Sequence, residues 1–219
     1  MTAAQPEGWD SGGVRSLEVR WILPGRLAPA VAGWFGRFPA QTTALEDAYL
    51  VDPHLPGLSV KLRGGRALEI KAYRGSCGLL EVAGRARGRL ESWQKWSFPT
   101  DPPSQGSGDP AGWRTVSKRR WVSRFSLAGA PTSARVPGPG QGPGCAVELT
   151  EVRTRGEAWW TLGFEATGPA DVLRGELEAA AARVFAQALP GGVELAIDDS
   201  MSYAQWLRGG PGADSDLEA

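Results

Sequence analysis

Charged and apolar residues alternate along several short segments of the chain. In the first of these segments, Glu18 and Arg20 alternate with Val19 and Trp21. Successive side chains of a β-strand point to opposite faces, so the alternation predicts a strand with one apolar face and one ionic face. The same pattern recurs around Lys61 and Arg63, Glu69 and Lys71, Lys118 and Arg120, Glu148, and Glu165.

Two architectures accommodate strands of this kind. One is a sheet whose ionic face is open to solvent, and the other is a closed barrel with an apolar exterior under helices and a charged interior that holds an ionic ligand. For any single strand, solvated ion pairs on an open sheet are the simpler interpretation. Repetition of the pattern over six strands favours the closed barrel.

The rest of the chain supplies the elements that such a domain needs. About eight strands are predicted, near 14–23, 45–51, 58–63, 66–73, 88–98, 113–126, 145–154 and 158–167. Helices are predicted near 27–37, 169–189 and 202–207. Two stretches rich in Pro and Gly, 99–112 and 129–144, are predicted to be long surface loops. One domain is therefore expected over 13–208, between a flexible tail at 1–12 and a flexible acidic tail at 209–219.

Charge and cysteine content exclude several classes of function. The 24 basic side chains balance the 24 acidic ones, so no overall field recruits nucleic acid or an anionic membrane. No apolar run is long enough to span a bilayer and no leader pattern opens the chain, so a cytoplasmic location is expected. Cys77 and Cys145 stand far apart without a CxxC or a histidine partner, which disfavours a disulfide framework or structural zinc. The oligomeric state is left open.

The predicted ionic faces carry an excess of positive charge. Their acids are Glu18, Glu69, Glu148 and Glu165, and their bases are Arg20, Lys61, Arg63, Lys71, Lys118 and Arg120. Like charges about 4 Å apart repel by roughly 1 to 4 kcal/mol, depending on solvation. A bound polyanion would relieve that repulsion, so a small phosphate ligand is the expected partner.

The order and spacing of these segments resemble the CYTH superfamily, the triphosphate tunnel metalloenzymes. The family's opening ExExK strand is similar to Ser16-x-Glu18-x-Arg20, and its later KxR strand is similar to Lys118-Arg119-Arg120. The paired bases of an earlier strand and the lysine of the next resemble Lys61-Leu62-Arg63 and Lys71. The strand pair at 148–152 and 160–165 and the terminal Ser202-Tyr203 helix complete the resemblance, which covers 14–207.

The resemblance implies an α+β fold, in which an eight-stranded antiparallel tunnel carries helices on its outside. It also implies that Mg²⁺ or Mn²⁺ is held by Glu18, Glu69, Glu148 and Glu165, with Glu18 catalytic, and that the six bases bind phosphate oxygens. The chain departs from the family pattern at Ser16, Thr150 and Gly163, where carboxylates are missing. The basic wall is by comparison intact, so binding is better supported than catalysis.

Three functions follow from these observations. The first is a metal-dependent triphosphatase or related phosphotransfer enzyme that acts on a triphosphate-bearing compound. The second is a non-catalytic protein that senses or sequesters a polyanionic phosphate ligand with the same basic residues. The third is a structural protein whose internal charges only pair with one another. Nucleic acid is an unlikely partner even though the chain has 10 Trp residues, since Trp21 and Trp160 alternate with charged positions and are expected to pack beneath the helices.

Overall fold

A computed structural model describes residues 13–100, 112–127, 129–133 and 142–209. The strands in these ranges are β1 Val14–Pro24, β2 Gln41–Leu50, β3 Leu58–Arg63, β4 Ala67–Val82, β5 Ala86–Pro99, β6 Trp113–Ser126, β7 Gly129–Ser133, β8 Gly144–Thr154 and β9 Glu157–Thr167. The helices are α1 Pro29–Phe35, α2 Leu173–Val184 and α3 Tyr203–Arg208, with single 3₁₀ turns at Pro190–Gly192 and Ile197–Asp199.

The strands form one antiparallel sheet that closes on itself. Its order is β2-β3-β4-β5-β1-β9-β8-β6-β7, and β2 also pairs with β6 over ten residue pairs from Gln41↔Val122 to Leu50↔Trp113. The closed ring therefore contains eight of the described strands. β7 is not one of them, and it pairs with the part of β6 that lies beyond the β2 pairing. The predicted α+β class, with an eight-stranded antiparallel tunnel and outer helices, is confirmed.

The main hydrophobic core lies outside the barrel, between the strands and the helices. Trp21 is fully buried, and its ring meets the edges of Phe164 and Phe185 at centroid distances of 6.2 and 6.3 Å. α2 buries Leu177 and Ala181, which are four residues apart and so share one face of the helix. The predicted position of Trp21 and Trp160 on the barrel exterior is confirmed, since both belong to this outer core.

Several boundaries differ from the sequence prediction. β4 continues to Val82 because register shifts at Tyr73/Gly75 and Ser76/Leu79 bend it, with Gly75 and Gly78 at positive φ. The prediction that 129–144 is entirely loop is wrong for 129–133, which pair with β6 as β7. α2 is shorter than the predicted 169–189, and β2 begins before residue 45. The predicted tail at 1–12, the predicted tail at 209–219 apart from residue 209, and most of both predicted loops lie outside the described residues.

The longest helix in the described ranges, α2, has 12 residues. None of the helices there is long and apolar enough to cross a membrane.

Candidate functional site: a charged tunnel

The barrel encloses a cavity that gathers every site residue predicted from the sequence. The open space measures about 80 Å³. The predicted residues that line it are Glu18, Arg20, Lys61, Arg63, Glu69, Lys71, Lys118, Arg120, Glu148 and Glu165. Strand geometry brings them together, because the inward faces of eight neighbouring strands point at one axis.

The register of β1 with its two neighbours sets one level of the tunnel. Glu18 lies opposite Glu91 of β5 on one side and Glu165 of β9 on the other. Three carboxyl groups thus come from adjacent strands at the same height. Two residues further along β1, Arg20 lies opposite Gly163.

Two carboxylates each bind two cations. Glu148 accepts hydrogen bonds from Arg120 and, at 3.2 Å, from Arg20. Glu69 pairs with Lys61 at 3.0 Å and with Arg63 at 2.6 Å. Burial alone would raise the pKa of both carboxyls, but the flanking cations hold the pKa of Glu148 and that of Glu69 well below their usual range.

A third cluster shares one lysine between two carboxylates. Lys71 Nζ lies 2.6 Å from Glu18 and 3.6 Å from Glu165, and Lys95 Nζ lies 3.7 Å from Glu165. Against the opposing effect of burial, Lys71 and Lys95 lower the pKa of Glu165 to about 2. Ser16 is buried and donates its hydroxyl to Glu18 at 2.6 Å. The resemblance would place a carboxylate at position 16. The Ser16 hydroxyl instead orients the Glu18 carboxylate.

Lys118 is buried among the groups of the tunnel. Its ammonium contacts Asp47 Oδ2 at 2.9 Å and the Tyr49 hydroxyl at 2.5 Å. The ammonium also lies 4.6 Å from the Tyr49 ring centroid and 4.0 Å from that of Tyr203. Burial lowers the pKa of Lys118 to about 7, although the Asp47 carboxylate opposes the shift. This base is therefore close to its titration point at neutral pH.

Sequence reasoning missed several lining or bridging residues. Asp47 and Tyr49 occupy alternate positions of the strand predicted at 45–51, and Asp47 pairs with both Lys61 and Lys118. Glu91, Trp93 and Lys95 follow the same period of two on β5 and also line the cavity. That period was a usable signal. No sequence pattern indicated Tyr203, because its position in the tunnel wall depends on where α3 packs.

Glu91 differs from the other tunnel acids because no cation lies within ion-pair distance of its carboxylate among the described residues. Its carboxylate accepts the Trp93 indole N–H at 3.0 Å. Burial raises the pKa of Glu91 to about 7; the Trp93 bond opposes this, and the charge of Glu18 reinforces it. The tunnel thus contains an acid and a base that both titrate near neutrality.

A divalent cation in the tunnel would depend on the tunnel carboxylates as ligands. In the ranges that the structure covers, three or more metal-ligating side chains do not come together in one cluster. The hard oxygen donors that Mg²⁺ and Mn²⁺ prefer are present, but each of the four predicted metal ligands is paired with a lysine or arginine. Glu18 and Glu165, which share Lys71, are the closest of these to a common site. A cation held there would need further oxygens from a ligand.

Comparisons with known proteins give structural likeness only. Protein-family models give no match to the chain, and neither do the curated proteins. Among solved structures, it is similar to a conserved hypothetical protein from Pyrococcus furiosus, with a TM-score of 0.43 and 16% identity over 86% of this chain and 98% of that one.

Two triphosphatases are also similar to this chain in structure. For the mimivirus capping enzyme triphosphatase the TM-score is 0.41 and the identity 11%, over 81% of this chain and 92% of that one. For the S. pombe Pct1 RNA triphosphatase, in a complex with the Spt5 CTD, the TM-score is 0.40 and the identity 11%, over 80% of this chain and 81% of that one. The tunnel architecture is observed directly in the closed barrel and its inward charges, without reference to the TM-scores or identities. It is the architecture that the sequence resemblance to the CYTH superfamily implies.

Proposed function

We propose that the tunnel binds a triphosphate-bearing or other polyanionic phosphate ligand. The observation that carries the proposal is the density of positive charge around a cavity of about 80 Å³. The bases at its wall are Arg20, Lys61, Arg63, Lys71, Lys95, Lys118 and Arg120, and the acids in contact with them are Glu18, Asp47, Glu69, Glu148 and Glu165. With Glu91, which also lines the cavity, six carboxyl groups face seven bases and leave an excess of one base, which phosphate oxygens are suited to satisfy.

The internal ion pairs suggest how a phosphate chain enters. Phosphate oxygens would replace carboxylates on the bases, and the released carboxylates of Glu18 and Glu165 could then hold Mg²⁺ or Mn²⁺. A divalent cation in that position would supply charge stabilisation to the phosphate oxygens. Glu69 and Glu148, each bound to two cations, would act mainly to align Arg63 and Arg120 by accepting hydrogen bonds from their guanidinium groups.

Catalysis is supported less directly than binding. A hydrolase needs carboxylates to position the metal, and the structure fills two of the family's carboxylate positions differently. The Ser16 hydroxyl donates a hydrogen bond to Glu18. A side chain at position 163 would contact the Arg20 guanidinium, since a Cβ there would lie 2.7 Å from Arg20 Cζ. These two substitutions favour a protein that senses or sequesters its ligand, and metal-dependent phosphohydrolase activity is the second candidate.

One experiment separates the candidates. We expect tripolyphosphate with Mg²⁺ to raise the melting temperature of the wild-type protein, since a ligand that binds the native state stabilises it by mass action. Phosphate release that is robust in the wild type and lost in Glu18→Gln, with ligand-induced stabilisation retained, would establish the enzyme. Stabilisation without phosphate release would establish the binder. If no polyphosphate stabilises the protein, the tunnel charges serve structure alone.

The basic wall itself gives a prediction. Arg63→Ala removes charge-assisted contacts and should weaken tripolyphosphate binding by about ten- to a hundredfold, measured by calorimetry. Arg174→Ala is the matched control, because Arg174 lies half exposed on α2 and pairs with Glu178 outside the tunnel. Equal affinities for the two variants would contradict a phosphate-binding role for Arg63.

A further inference from the structure

The short helix α3 forms a wall between the tunnel and the outside of the barrel. Its N-cap, Ser202, and its first two residues, Tyr203 and Ala204, line the tunnel, whereas Trp206 and Arg208 line a separate outer cleft. Ser202 caps the helix by accepting the Gln205 N–H at 3.2 Å. The α3 backbone thus begins at the cavity and runs away from it.

Tyr203 inserts its ring among the tunnel cations. The ring centroid lies 4.0 Å from Lys118 Nζ and 4.8 Å from Arg20 Cζ. The ring stacks on Tyr49 at 5.8 Å, and its hydroxyl lies 3.3 Å from Thr161 Oγ1. Two bases that the sequence assigns to phosphate binding are thus partly covered by the aromatic face of one residue.

This arrangement occupies much of the Lys118 ammonium, although Lys118 still lines the cavity. Its ammonium has Asp47 and the Tyr49 hydroxyl as hydrogen-bond partners, and the Tyr203 ring lies 4.0 Å away on a further side. A phosphate oxygen and the Tyr203 ring face would compete for the same cation, since both bind it through negative charge density.

α3 is held in place mainly by contacts outside the tunnel. The Arg208 guanidinium donates to the carbonyl oxygens of Pro56 at 2.7 Å, Leu55 at 3.3 Å and Leu58 at 3.5 Å, at the connection between β2 and β3. Trp206 packs edge-on against Trp159 at 5.2 Å. A helix of six residues has little intrinsic stability, so these contacts hold α3 against the barrel.

We propose that α3 is a plug that competes with the phosphate ligand, with Tyr203 occupying the position that phosphate oxygens take on Lys118 and Arg20. The proposal rests on the proposed function and adds its regulation. A polyphosphate that reaches Lys118 displaces Tyr203, and any change that loosens α3 raises the affinity for such a ligand. By thermodynamic linkage, the ligand loosens α3 by the same factor.

The first test changes the ring. Tyr203→Ala should raise the affinity for tripolyphosphate by about tenfold, the equivalent of one or two cation–π contacts released from competition. Tyr203→Phe keeps the ring and should give a much smaller increase. A loss of affinity in Tyr203→Ala would show that the ring belongs to the binding surface, and would overturn the proposal.

The second test loosens the helix from a distance. Arg208→Ala leaves every tunnel side chain intact but removes the contacts to the β2–β3 connection, so it should raise tripolyphosphate affinity several-fold. Arg87→Ala removes the same charge from an exposed pair with Glu81 and should leave affinity unchanged. Hydrogen exchange of the wild type should show that tripolyphosphate increases exchange of α3 amides while it protects the barrel strands.

The outcomes separate the plug from the proposed function. Suppose that tripolyphosphate binds the wild type, that neither Tyr203→Ala nor Arg208→Ala binds it more tightly, and that the α3 amides become more protected. The plug proposal is then wrong, and the phosphate-binding function stands. If the wild type and both variants all fail to bind, the proposed function fails as well. Binding that appears only in the loosened variants would support the plug strongly.

Discussion

At the scale of single residues, burial shifts the ionisation of two tunnel groups to near neutral pH. Lys118 is paired with Asp47, and burial is the main effect that lowers its pKa to about 7. The Glu91 carboxylate accepts the Trp93 indole N–H and has no ion-pair partner among the described residues, and burial raises its pKa to about 7. The pKa values of Glu69, Glu148 and Glu165 are lowered instead, because cations lie within ion-pair distance of these carboxylates.

Glu91 gives a prediction about stability and pH. A raised folded-state pKa means that the folded protein holds the proton more tightly between about pH 4.5 and 7, so the stability due to this group is present below that window and lost as pH rises through 7. Glu91→Gln keeps the hydrogen bond but cannot ionise. Its stability relative to the wild type should therefore rise by roughly 2 to 3 kcal/mol between pH 4.5 and pH 8.

Urea unfolding at the two pH values measures this difference. Glu178→Gln serves as the control, because Glu178 is half exposed on α2 and far from the tunnel charges. If the difference between Glu91→Gln and the wild type stays constant from pH 4.5 to pH 8, Glu91 is ionised in the folded protein and its carboxylate has a partner in solution.

At the scale of elements, alternation along single strands was sufficient to predict most of the tunnel wall. β1, β3, β4, β6, β8 and β9 each carry a charged position opposite an apolar one, and all ten predicted side chains line the cavity. The prediction failed on β5, where Glu91, Trp93 and Lys95 share the inward face but the two tryptophans of the segment obscured the period. It also could not include Tyr203, since no strand period governs a side chain that a terminal helix inserts.

The outer face of β5 gives an element-scale prediction. Gly88 packs beneath β1, and a Cβ there would lie 2.6 Å from both Trp21 Cζ2 and Val19 Cγ2. Since Trp21 is fully buried, it has no free space into which to move. Gly88→Ala should therefore destabilise the protein by about 1 to 3 kcal/mol through overpacking, measured by urea unfolding.

Gly33 provides the matched control. It lies exposed in α1, and a Cβ there meets no atom within 4 Å. Gly33→Ala should stabilise the protein by roughly 0.5 to 1 kcal/mol, because alanine loses less backbone entropy in a helix. A Gly88→Ala variant as stable as Gly33→Ala would show that β1 and β5 can separate enough to admit the methyl group.

At the scale of the whole molecule, barrel closure converts weak surface features into one site. The same ion pairs on an open sheet would be solvated and contribute little. Closure between β2 and β6 removes them from water, which strengthens both the attraction within pairs and the penalty for any charge left unpaired. The sequence predicts the closed form only through repetition over six strands, because no single strand distinguishes a tunnel from an open sheet.

Closure also predicts that metal and phosphate bind together. Among the described residues, Glu18 and Glu165 share Lys71, so binding a metal at the carboxylates or a phosphate at the ammonium breaks the same ion pairs. Either ligand alone must break ion pairs and leave buried charges without partners. Both together supply a new partner to each released group, so each should raise the affinity for the other by the same factor.

Calorimetry tests this coupling directly. We expect weak binding of Mg²⁺ alone, weak binding of tripolyphosphate without metal, and an affinity at least about tenfold higher for the magnesium–tripolyphosphate complex, equivalent to about 1.4 kcal/mol of coupling. Glu18→Gln should abolish the gain from magnesium while metal-free tripolyphosphate binding persists or improves, since a negative charge has left the tunnel. Tight binding of Mg²⁺ to the unliganded protein would mean that the carboxylates are free to coordinate it, and that the ion pairs at Lys71 do not persist in solution.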